Sequence, residues 1–139
     1  MGKVFISYRH SDERGAIEAD RLAEALGRSF GRDNVFYDLE SLEAGANWRD
    51  HAAARLKECH IILAVIGPGW GDLNAPEDPI RFELETAQKL GLKIQPVLVK
   101  GASMPEADAL PVSLSDLRDV IASPIGSRGE AYRREVEGI

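Results

Sequence analysis

The sequence predicts an α/β fold: a doubly wound, parallel five-stranded sheet with helices on both faces. Three observations carry this expectation. Short apolar runs alternate with segments of helical periodicity along the chain. The run "IILAVI" (61–66) is apolar at every position, as a strand covered on both faces must be, and is too short for a helix. Polar loops follow the strands, and there such sheets hold their ligands.

The elements follow in order. "KVFIS" (3–7) is a buried first strand. Residues 12–30 bring Ala19, Leu22, Ala23, Leu26 and Phe30 onto one helical face, and Gly31 stops the helix. "NVFYD" (34–38) is the second strand, "LESLEAGAN" (39–47) a polar loop, and 48–58 a helix. After the central strand, "GPGWGDLNAPEDP" (67–79) holds three glycines and three prolines, a loop expected to be mobile until a ligand or neighbour closes on it. In "DPIRFELETAQKL" (78–90), Asp78 suits the N-cap, Pro79 the first helical position, and the helix ends near Gly91. "LKIQPVLV" (92–99) is a further strand, "GASMPEADALP" (101–111) a loop and "DVIA" (119–122) a short edge strand. "GEAYRREVEGI" (129–139) starts an amphipathic helix, with Tyr132, Val136 and Ile139 in register and no C-cap at the last residue. Residues 1–139 therefore read as one domain cut from a longer protein.

Composition narrows the function. Lys plus Arg is 17 against 23 for Asp plus Glu, a net charge of -6, which argues against nucleic acid as partner. The single cysteine, Cys59, excludes an intramolecular disulfide and fits a cytoplasmic protein. No apolar run is long enough to span a bilayer, so no membrane partner is expected. GxGxxG, GxxxxGK[ST] and GxSxG are all absent, and His10, His51 and His60 are scattered without metal spacing. A phosphorylatable receiver domain has the same strand–helix order but needs clustered acids after its first strand. Here that strand ends in Tyr8-Arg9-His10.

One helix carries a misplaced charge. At about 100° per residue, the apolar stripe of 78–90 runs through Ile80, Leu84, Ala87 and Leu90. Glu83 falls inside that stripe, whereas Glu85 points to water. The strand-end rule independently selects Ser7, Tyr8 and Arg9 after the first strand, Asp38 after the second, and the loop from Gly67. Glu83 sits on the helix fed by that loop, so the stripe position and the crevice position coincide.

These residues also carry a family resemblance. "KVFISYRHSD" (3–12), "NVFYDLESLEAGANW" (34–48), "IILAVIGPGW" (61–70) and "DPIRFELETA" (78–87) resemble the successive boxes of a bacterial Toll/interleukin-1 receptor (TIR) domain, across essentially the whole chain. The resemblance implies a flavodoxin-like sheet with 39–47 as the BB loop. It also implies one of two functions: NAD+ cleavage, or self-associating signalling without catalysis. In enzymatic members a glutamate on the helix after the third strand is catalytic, and "IRFELETA" places Glu83 there. The chemistry is coherent with one carboxylate. Nicotinamide leaves a cationic sugar as a neutral group, so no general acid is required, and a carboxylate beside the developing oxocarbenium suffices.

The resemblance further implies that Tyr8 and Arg9 border the substrate. Asp38, Gly45 in the BB loop and Trp48 complete the candidate substrate-binding set, although Gly45 also reads as a backbone requirement and Trp48 and Trp70 as packing residues. NAD+ is then substrate rather than cofactor, and no metal is called for. Other TIR domains are the expected partners through 39–47, joined head to tail, with bacterial defence as the setting. The product, linear or cyclic ADP-ribose, is left open. Two positions depart from the family: Pro79 stands where many catalytic members have a tryptophan, and His10 where a second arginine often follows Tyr-Arg. The alternatives are a non-catalytic adaptor, which should tolerate loss of Glu83, and, more distantly, a nucleoside deoxyribosyltransferase with a glutamate nucleophile.

Overall fold

The computed structural model describes residues 2–37 and 47–120 and the strand 123–124. Its strands are β1 (Lys3–Tyr8), β2 (Val35–Phe36), β3 (Cys59–Ile66), β4 (Lys93–Leu98) and β5 (Ser123–Pro124). The helices are α1 (Glu13–Phe30), α2 (Trp48–Lys57) and α3 (Pro79–Leu90). The sheet is five-stranded in the order β2-β1-β3-β4-β5, and every pairing is parallel. The expected fold class is present.

Strand alternation divides the core in two. Val4 and Ile6 of β1, with Ile61, Leu63 and Val65 of β3, meet Ala19, Leu22 and Leu26 of α1 on one face. Phe5, Ile62, Ala64 and Ile66 meet Ala52 and Leu56 of α2 and Ile80, Leu84 and Ala87 of α3 on the other. β3 is covered on both sides, and residues 61–66 are at most 2% exposed, which explains its unbroken apolar run.

The helix ends follow local chemistry. The Asp78 carboxylate accepts the amide hydrogens of Ile80 (2.8 Å) and Arg81 (3.3 Å), and Pro79 takes the first turn, where no amide hydrogen is needed. Gly91 closes α3 in the left-handed region (φ 76°), which glycine enters without a Cβ penalty. Asn47 caps α2 in the same manner as Asp78, accepting from Arg49 and Asp50.

Three expectations are corrected. Leu90 is 40% exposed, because α3 outruns the surface it covers, so the buried stripe ends at Ala87. Residues 112–119 form a 3-10 helix that buries Leu114 and Leu117, which takes Asp119 out of the expected edge strand; β5 lies further on, at Ser123–Pro124. The second strand is shorter than expected, since Asn34 closes a 3-10 turn instead of joining it. The stretch 67–79 lacks helix and strand until Pro79, as expected, and it carries contacts to the rest of the domain. Trp70 and Leu73 are buried, the Leu73 amide donates to the Ala109 carbonyl (2.8 Å), and the Gly69 amide donates to Asp12 Oδ1 (3.1 Å). Gly15 and Gly67 leave no room for a side chain beside that carboxylate, as an added Cβ would lie 2.4 and 2.3 Å from Asp12 Oδ2.

The expected helix 129–139 and most of the loop 39–47 fall outside the described residues. No described helix is long and apolar enough to cross a membrane.

The end of the apolar stripe is testable by truncation. Leu84→Ala should cost about 3 kcal/mol and Leu90→Ala less than about 1 kcal/mol, read as shifts of the urea midpoint. Equal losses would place Leu90 in the core after all.

Candidate active site

Strand order reverses at β1, whose neighbours are β2 on one side and β3 on the other. Connections leaving the two sides diverge at the carboxyl ends and open a crevice. A cavity of about 390 Å³ lies there. Tyr8, Arg9 and His10 line it from the end of β1, and Tyr37 from just beyond β2. Trp48 lines it from α2, and Pro79, Ile80 and Glu83 from α3.

Glu83 is the buried carboxylate of this site, 8% exposed. Ser7 lies on the Phe5 face of β1, level with Ala64 of β3, and its hydroxyl donates to Glu83 Oε1 at 2.7 Å. Burial pushes the Glu83 carboxyl up from 4.5 to about 7. The Ser7 hydrogen bond pulls it down, the Asp78 charge raises it and the Arg9 charge lowers it. Perturbation by desolvation together with specific charged neighbours marks a carboxylate in a cleft as a candidate functional group.

Arg9 acts as a brace. Its Nη2 pairs with Asp78 Oδ2 at 2.9 Å, and its Nε donates to the Trp70 carbonyl at 2.9 Å. The guanidinium borders the cavity while tying β1 to the loop after β3 and to the start of α3.

Aromatic rings furnish the walls. Tyr8 stacks on Tyr37 (centroids 5.5 Å, planes at 23°) and meets His10 at 4.7 Å. The Tyr37 hydroxyl donates to Asp20 Oδ1 at 2.8 Å. Trp48 meets Phe82 edge-on at 5.4 Å, and the Arg49 guanidinium lies 4.8 Å from the Trp48 ring.

The structure thus brings Glu83, Tyr8, Arg9 and Trp48 together. Asp38 and Gly45 lie outside the described residues. Trp70 is core, 2% exposed. Glu85 is not simply solvated: it accepts from the Ser113 hydroxyl and from Arg81, bridging α3 to the 3-10 helix 112–119, and the Ser113 bond leads the interactions that hold its carboxyl below the usual range. Cys59 is buried and pushed up to about 12, chiefly by desolvation, and is therefore unreactive. Among the described residues, no three acidic, histidine or cysteine side chains converge as a metal site.

Sequence reasoning did not find the Ser7–Glu83 bond or the Arg9–Asp78 pair. A signal for the first was present: the strand 3–7 ends its apolar run on Ser7, and the stripe of 78–90 contains one polar residue, Glu83. Two such misfits on adjacent elements can satisfy one another.

The family described as TIR domain matches residues 4–124. A search of curated proteins finds no match. Among solved structures, the CMP N-glycosidase of Clostridium botulinum is similar, with a TM-score of 0.49 and 17% identity over 99% of each chain.

The state of Glu83 sets a pH dependence of stability. Its carboxyl moves from 4.5 to about 7 on folding, so the folded protein binds this proton more tightly than the unfolded chain. The stabilisation from protonated Glu83 is complete below pH 4.5 and disappears as the pH rises through about 7. Glu83→Gln should therefore gain stability over wild type across that window, by up to roughly 3 kcal/mol above it. Urea unfolding at several pH values measures this; a difference independent of pH would contradict the burial of an ionisable group.

Proposed function

The chain belongs to the TIR domain family, and from the carboxylate in its crevice we propose that it cleaves the nicotinamide–ribose bond of NAD+. The observation that carries this reading is the placement of Glu83, which is buried, hydrogen-bonded from behind by Ser7, and open to a cavity at the strand switch point.

In the proposed reaction the C–N bond breaks with both electrons going to nicotinamide, which departs neutral. The sugar carbon becomes an oxocarbenium, and ionised Glu83 stabilises it at short range in a site of low dielectric. Glu83 also accepts hydrogen bonds from the ribose hydroxyls, fixing the ring. Water then adds to the carbon and loses a proton, giving linear ADP-ribose; attack by the adenine of the same molecule gives the cyclic product. Small-molecule sites span about 300–1,000 Å³. At about 390 Å³ this cavity suits the nicotinamide riboside half, with the remainder of the dinucleotide along the mouth. The Tyr8–Tyr37 stack and Trp48 offer flat apolar surfaces to the rings.

Self-association belongs to the same proposal. A crevice open to solvent screens the carboxylate and lowers its effect on the reacting carbon. The loop 39–47 leads directly into Trp48 at the cavity, so a neighbouring copy docked on that loop would help wall the site. Such a contact is heterologous and builds open strings.

Two outcomes are expected. Glu83→Gln and Glu83→Ala should lower nicotinamide release at least ~100-fold while leaving the fold intact, with Glu85→Ala retaining activity. Glu83 variants as active as wild type would leave only the interaction module. Specific activity should also rise with protein concentration or under crowding, and Gly45→Trp should suppress that rise. A flat dependence at full turnover would show that one copy completes its own site.

A further inference from the structure

We propose that Ser7 is the positioning residue of this site: its hydroxyl holds the Glu83 carboxylate from behind and presents the other oxygen to the cavity. The inference rests on the reading of Glu83 as the catalytic group.

The geometry separates the two roles. Ser7 is 1% exposed and is not among the residues lining the cavity, whereas Glu83 lines it. The carboxylate therefore stands between the hydroxyl and any substrate, and Ser7 acts only through Glu83. At 2.7 Å the bond is a well-formed O–H···O contact, from the single hydroxyl proton to Oε1. The position admits little else. The near neighbours of Ser7 on its sheet face, Phe5, Ile62, Ala64 and Ile66, are apolar. Ala64, its partner across β3, is small enough to leave space for the carboxylate. A hydroxyl is the smallest group that can satisfy Glu83 there.

The bond also selects a protonation state. A donated hydrogen bond favours the ionised carboxylate and so opposes its desolvation. The other charged or titratable groups facing Glu83 are Asp78 at the start of α3, Arg9, Tyr8 and His10 at the end of β1, and Tyr37 beyond β2. Arg9 is paired to Asp78 at 2.9 Å, so the opposing effects of these two charges on Glu83 largely offset each other. Ser7 is the group bonded directly to the carboxylate.

The experiment is a carboxyl titration with a matched rate profile. The Glu83 side-chain carbon is followed by NMR in ¹³C-glutamate-labelled protein, its signal identified by comparison with Glu83→Gln. In wild type the midpoint falls near 7. Ser7→Ala should raise it by about one pH unit, the size expected for losing a hydrogen bond to a charged group. Ser7→Cys, similar in size and a weaker donor, should lie between; Ser7→Thr should restore the wild-type value. The acid limb of kcat/KM for nicotinamide release should move with the midpoint, giving about a tenfold loss at pH 6 that narrows towards pH 9. A serine that merely fills space would lower rates equally at every pH and leave the midpoint in place, which would overturn the inference. If Ser7→Ala does not fold, the order of wild type and Ser7→Cys decides. If no variant and no wild type releases nicotinamide, the functional reading fails, and the titration still decides whether Ser7 governs Glu83.

Discussion

The crevice depends on one ion pair. Arg9 Nη2 and Asp78 Oδ2, 2.9 Å apart and largely withdrawn from water, fasten the end of β1 to the beginning of α3. Asp78 uses its other oxygen to cap α3, so one carboxylate both starts the helix and fixes its position. Arg9 adds the Trp70 carbonyl and thereby captures the loop between β3 and α3. Loss of one partner would leave the other charge buried, a change of about 3–5 kcal/mol in comparable cases. Glu83 stands five residues along the helix that this pair orients. Its relation to β1 follows from the brace, and the Ser7 bond refines it.

A second constraint opposes the first. α3 is held to the sheet by Ile80, Leu84 and Ala87, and the same face must bury Glu83. An apolar residue in its place would fill the stripe with no ionisable group to desolvate. Neighbouring parts are well fastened: the Gly69 amide donates to Asp12, Gly67 packs against that carboxylate, and Trp70 and Leu73 anchor the loop in the α3-side core. Stability lost at the buried carboxylate is offset by packing around it.

Much of this was legible in the sequence, for identifiable reasons. The strand 61–66, the cap at Asp78-Pro79 and the stop at Gly91 are local signals, and local chemistry decides them in the structure. Glu83 was legible because a charge inside an apolar helical stripe is a contradiction that needs a partner, and the structure supplies Ser7 and the edge of the crevice. Arg9 was found for its position, but its side chain spans β1, the loop at Trp70 and the cap at Asp78, and a 69-residue separation leaves no periodic trace. Asp119 was misplaced in an edge strand because it closes a 3-10 helix fastened by Leu114, Leu117 and the Ser113–Glu85 contact, and tertiary packing overrode the strand propensity of the residues after it. Leu90 was overcounted because periodicity does not know where the sheet beneath a helix stops.

The two tryptophans divide the molecule optically. Trp70 is 2% exposed within the core on the α3 side, in an environment withdrawn from water. Trp48 is half-buried at the cavity, with Arg49 over its ring and Phe82 against its edge. Emission from the first stays blue as long as the domain is folded, and emission from the second responds to whatever enters the crevice. The chain contains no other indole. Native fluorescence therefore separates occupancy from integrity without a label: quenching at constant wavelength reports the cavity, and a red shift reports the fold.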